Sequence, residues 1–174
     1  MDLDRDLLVG VLNVQSKSDQ TRRMRRYIKA RAKAMGATVV CEDGNVYATR
    51  GIADTYPCFV AHTDTVHKII PDQHYRVYRD PKDDGYFAID TLLDQPTGIG
   101  GDDKVGIALA LQLLRDLPAA KAAFFRDEEI GCKGSRVADL AFFDDAAFVL
   151  QADRQASHEW TEDLLGIRAY DDAF

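Results

Sequence analysis

The order of elements predicts an α/β fold: a three-layer sandwich with a mixed, mostly parallel central sheet flanked by helices. Three observations carry this expectation. Short runs rich in β-branched and aromatic residues alternate with segments of helical periodicity. The segment VGIALALQLLRDL, residues 105–117, is apolar nearly all round, as a helix buried against a sheet is. Acidic and imidazole side chains stand where apolar runs stop, the place where open α/β sheets bind ligands.

Taken in order, Leu7, Leu8, Val11 and Leu12 have helical spacing, and after the polar break QSKSDQ a second helix runs to about Gly36. It carries Met24, Tyr27, Ile28 and Met35 on one side. ATVVCED and NVYATRG, joined at Gly44, read as a hairpin, and YPCFVAHTD as a buried strand. HYRVYRD and GYFAID form a further strand pair around the turn PKDDG. The Gly-rich loop TGIGGDDK leads into the buried helix; KAAFFRD and AAFVLQAD are strands, and CKGSRVADLAFF between them holds a short helix. With no repeat, no low-complexity tract and no linker, the 174 residues form a single domain, 1–174.

A net charge of −7 and a pI near 5.0 argue against a nucleic-acid or anionic-membrane binder, which needs a positive field. Arg22, Arg23, Arg25, Arg26, Lys29, Arg31 and Lys33 make a basic helix face, read as the solvated side of an amphipathic helix. Cys41, Cys58 and Cys132 are odd in number and irregular in spacing, the start MDLDRDLL is no basic leader, and no run approaches a membrane span of about 20 apolar residues. A reduced, cytoplasmic protein is expected.

Four strand or loop ends carry metal-ligand chemistry: His62 and Asp64 after CFVA, Asp102 at the loop-to-helix start, Glu128 and Glu129 after AAFF, and Asp153 after FVLQ. Clustered carboxylates repel unless a counter-ion joins them, and one imidazole among several carboxylates suits zinc, manganese or cobalt. Singly, each has a plainer reading. H-x-D is common at strand ends, GIGGDDK could cradle a phosphate with Lys104, Asp103 could cap the helix, residues 127–129 could be a solvated turn, and Asp153 any loop aspartate. The phosphate reading lacks the P-loop and dinucleotide spacings, and Asp102 and Asp103 oppose it.

In combination, HTDTV, GIGGDDKVGIA, DEEIGCKGS and the strand-terminal Asp153 resemble the zinc-dependent exopeptidase superfamily, most closely its tripeptidase (peptidase T), carboxypeptidase and aminoacylase branch, with the related aminopeptidases next. The resemblance runs from about residue 10 to about residue 155. It implies hydrolysis of a peptide or acyl-amino-acid bond at two zinc ions. His62 would be a ligand, with Asp64 supporting it from behind. Asp102 would bridge the ions, with a cis peptide after it. Glu128 would be the general base toward the attacking water, Glu129 a ligand, and Asp153 the residue completing the shell opposite His62. Cys132 is expected to be a small buried residue.

The chain departs from that pattern after Asp153. The resemblance implies a last His ligand well downstream, and a lid or dimerisation insert before it; only 21 residues remain here, with His158 as the one histidine among them. His67 and His74 are expected at the surface. The sequence therefore predicts either an enzyme, minimal or completed by another chain, or a silent metal-binding module that oligomerises through an uncovered sheet edge. Retention of Glu128 favours the enzyme.

Overall fold

The computed structural model describes residues 3–82, 84–153, 163–164 and 167–168. Helix α1, Arg5–Leu12, begins at Asp4, whose carboxylate accepts from Leu7 N at 3.0 Å, and it buries Leu7, Leu8, Val11 and Leu12. Helix α2, Arg22–Ala34, buries Met24, Ile28 and Ala32. The hairpin of β1, Thr38–Glu42, and β2, Asn45–Arg50, turns through Asp43 and Gly44, both at positive φ, the geometry that matches strand twist. Strand β3 is Tyr56–His62.

Strands β4, Tyr75–Arg79, and β5, Tyr86–Asp90, pair antiparallel as expected. They are joined by β6, Gln95–Thr97, a strand the sequence hides: it has three residues, Pro96 in the middle and no alternating pattern. Helix α3, Gly101–Asp116, is followed by β7, Ala120–Phe125, and β8, Ala146–Gln151. The short helix expected between β7 and β8 takes the form of two 3₁₀ segments, Ser135–Val137 and Leu140–Phe143. The pairs β9, Asp163–Leu164, and β10, Ile167–Arg168, lie outside the main sheet.

The main sheet has the order β1-β2-β7-β3-β8. Its β3–β7 and β3–β8 pairings are parallel and the two involving β2 antiparallel, so β2 alone runs against the other four strands and the sheet is mixed and mostly parallel. Alternation along the strands sends Val46, Ala48, Phe59, Ala61, Ala122 and Phe124 to the side covered by the three helices. Tyr47, Val60, Ala123 and Phe125 face the other side, where Phe142 and Phe143 of the 3₁₀ layer cover them. At β8 the burial lapses: Val149 is 49% and Leu150 39% exposed, and among the described residues no strand pairs with the outer edge.

Candidate metal centre

Parallel pairing sets the site. Strands β3, β7 and β8 point the same way, with His62 level with Phe125 and Val60 level with Gln151, so the residues just past each strand converge on one rim. His62, 2% exposed, directs Nε2 at that rim: Asp102 Oδ1 is 2.8 Å away, Asp153 Oδ2 3.8 Å and Glu128 Oε2 4.0 Å. One ligand atom each from His62, Asp102 and Asp153 fits within 4.8 Å of the others.

Asp64 stands behind the imidazole. It is fully buried, and its Oδ1 lies 3.4 Å from His62 Nδ1, an ion-pair distance without hydrogen-bond alignment. The same carboxylate accepts from Ser18 Oγ at 2.8 Å and from the backbone N–H groups of Glu128 at 2.9 Å and Glu129 at 3.3 Å. Burial pushes its acidity down, but His62, Ser18 and the Glu128 N–H outweigh it and hold the pKa near 2. Burial likewise disfavours a charged His62, yet Asp64, Asp103, Asp102 and Asp153 around it raise its pKa to about 10.

The acidic run does not continue as extended strand. Asp127 takes φ 54°, and the chain folds into a turn in which Gly131 N and Cys132 N donate to Glu128 O. Asp127 itself is buried and gains a definite role: Oδ1 accepts from Asp19 N at 2.7 Å and Oδ2 from Arg126 Nη1 at 2.6 Å, tying the loop before α2 to the turn. Gly134 closes the turn where a Cβ would lie 2.5 Å from Arg126 N and Asn45 Oδ1. Within it, Cys132 Sγ donates to Glu128 Oε1 at 3.5 Å, leaving Oε2 toward His62.

Across the rim, the Asp102–Asp103 peptide is cis and both residues lie outside helical φ/ψ, so the regular turns of α3 begin after them. Asp103 is the cap anticipated from its position, accepting from Gly106 N at 3.0 Å, and it also accepts from His62 N at 3.1 Å. Burial pushes its pKa up to about 8. Lys104 plays no phosphate-binding part: it is buried, donating Nζ to Ile99 O at 2.7 Å and Leu12 O at 3.2 Å.

Of the sequence-predicted residues, His62, Asp102 and Asp153 meet directly, Glu128 borders them, and Asp64 supports them from below. Glu129 lies outside the compact triad; after burial, the charge of Asp102 is what most raises its pKa. His67 packs over Gly98 and His74 sits in the β3–β4 loop bonded through its backbone, and neither joins the triad. His158 lies outside the described residues. The sequence reading missed Ser18, Asp19 and Asp127 as site supports. Their signal was faint, a polar loop and the first residue of an acidic run.

The donor set fits a hard-to-borderline divalent cation. Asp64, Asp102, Asp103, Glu128 and Asp153 surround one imidazole, and in a partly buried rim such a set needs positive charge at its centre. The Nε2 of His62 is aimed there while Nδ1 faces a carboxylate, the orientation that a metal-ligating histidine takes from its supporting residue.

No family model and no curated sequence matches the chain. Solved structures do. A tripeptidase from Staphylococcus aureus subsp. aureus Mu50 superposes with TM-score 0.68 at 21% identity over 87% of this chain and 43% of that one. The aminoacylhistidine dipeptidase of Vibrio alginolyticus gives 0.66 at 17% identity, over 86% of this chain and 32% of that one. The Pyrococcus horikoshii TET1 peptidase, which can assemble into a tetrahedron or a large octahedral shell, gives 0.56 at 17% identity, over 85% and 68%. The chain thus shares the fold of these peptidases while spanning less than half of the tripeptidase's length.

Proposed function

We propose that this chain carries the chemical half of a metal-dependent, exopeptidase-type hydrolase that cleaves a peptide or acyl-amino-acid amide bond. The observation that carries the reading is Glu128: a carboxylate at the rim, 4.0 Å from His62 Nε2, bordering the His62–Asp102–Asp153 triad. A pure metal-binding module needs the triad and has no use for this extra carboxylate.

A divalent cation held by His62, Asp102 and Asp153 would supply Lewis-acid polarisation of the scissile carbonyl and a more acidic attacking water. Everything else falls to the chain. Glu128 Oε2 takes the proton of the attacking water and returns it to the leaving amine. Its placement rests on Asp64, which holds the Glu128 N–H, and on Cys132, which occupies Oε1. Asp64 is a positioning residue, setting His62 and the turn together. A second cation, of the pair the sequence implies, would have Asp102 and Glu129 from this chain and require further ligands. Zinc is the preferred ion, with manganese or cobalt as substitutes.

Two observations favour an active form completed by more polypeptide: among the described residues no strand pairs with the outer edge of β8, and the chain spans under half the tripeptidase. The test is metal content together with hydrolysis of tripeptides and acyl-amino acids. Turnover in the wild type that Glu128→Gln abolishes supports the enzyme; bound metal with no turnover under any assembly state assigns a silent module.

A further inference from the structure

The outward face of α2 is a line of cations without counter-charges. Arg22, Arg26, Lys29 and Lys33 are all exposed. Steps of four, three and four residues put them within about 60° of one another around the helix and along about 16 Å of its axis. Among the described residues none of the four has an ion-pair partner. Elsewhere Arg5, Arg79, Arg115 and Arg126 each face an aspartate, and on α2 itself Arg23 meets Asp72 at 2.8 Å.

This arrangement works against the helix. The first turn of α2 has no acidic residue but two arginines at the positive end of the dipole, and Thr21 gives no side-chain cap. Arg22 with Arg26, and Lys29 with Lys33, are like-charge neighbours at i,i+4, each unfavourable by about 0.2–0.5 kcal/mol. Packing does not require them, since Met24, Ile28 and Ala32 on the opposite side anchor the helix. An acidic chain that sets four unpaired cations in single file on one helix, at a local cost, has a surface suited to an anion.

We propose that this face docks a carboxylate-rich polypeptide segment. Charge complementarity selects a polyanion, and the rest of the molecule selects among polyanions. Duplex DNA, with one charge per about 1.7 Å, would run past the stripe onto a surface of net negative charge. Single strands are held by aromatic stacking, and the stripe offers none: Tyr27 is half-buried, with Arg31 5.9 Å over its ring. A helix carrying Asp or Glu at three- and four-residue intervals presents the matching geometry with the opposite sign. This inference is independent of the hydrolytic reading.

The test is fluorescence anisotropy with a labelled peptide bearing glutamates at those intervals. Binding should weaken with salt and fall at least about tenfold in Arg22→Gln/Arg26→Gln/Lys29→Gln/Lys33→Gln. It should persist in Lys68→Gln/Lys82→Gln, which removes exposed charge elsewhere. The melting temperature of the fourfold variant should hold or rise as like-charge repulsion is relieved. Unchanged binding by the fourfold variant, an equal loss in the control, or a fall in its melting temperature would overturn the proposal. So would tighter capture of a single-stranded oligonucleotide of equal charge, or stripe-dependent self-association without peptide, which would make a second copy the occupant.

Discussion

Glu128 divides its two oxygens, one held by Cys132 and the other free toward His62, and that division is what a general base needs. Replacing it with glutamine keeps the shape and removes the basicity, so turnover should drop by about 10²-fold or more with metal content unchanged, measured by steady-state kinetics beside metal analysis. Asp127 belongs to stability instead. Asp127→Ala removes the acceptor of Asp19 N and of Arg126 Nη1 and should cost about 1–3 kcal/mol in chemical denaturation. The residues of the candidate triad were legible in the sequence because imidazole and carboxylates ending apolar runs are conspicuous. Asp127 was not, because the bond that ties it to the loop before α2 spans 108 positions, to Asp19 N.

At the scale of elements, the turn after β7 is the part of the site that depends most on backbone. Gly134 packs against Arg126 and Asn45 so closely that Gly134→Ala must shift the turn, and with it Glu128. That variant should lose both stability, by about 1–3 kcal/mol, and activity, while a Gly131→Ala control has open space around its Cβ and pays only for its positive φ. Hairpin β1–β2, helix α3 and strands β3, β7 and β8 follow from periodicity and turn chemistry. Strand β6 and the 3₁₀ segments do not, being too short for a period to show; nor does the departure from extended backbone at Asp127, which tertiary bonds impose.

For the molecule as a whole, no helix among the described residues is long and apolar enough to cross a membrane, and Cys41, Cys58 and Cys132 are free thiols. Among the described residues the surface joins a rim of converging carboxylates, a cationic helix and an unpaired edge at β8. If the rim binds a cation as proposed, the mutual repulsion there couples folding to that binding. A divalent cation at about 100 times its dissociation constant should add about 2.7 kcal/mol, a rise of several degrees in melting temperature that chelation reverses. The exposed Val149 and Leu150 predict concentration-dependent association, read by sedimentation velocity and weakened by Leu150→Lys.

The central claim is that the strand-end triad holds a divalent cation through His62. Its most direct test is metal content per chain after dialysis against zinc at low concentration, for the wild type and for His62→Ala and Asp153→Asn. The account predicts at least one ion per wild-type chain, and a loss of that ion in both variants while circular dichroism remains native-like. A wild type that retains no metal, or a His62→Ala protein that retains as much as the wild type, would contradict it.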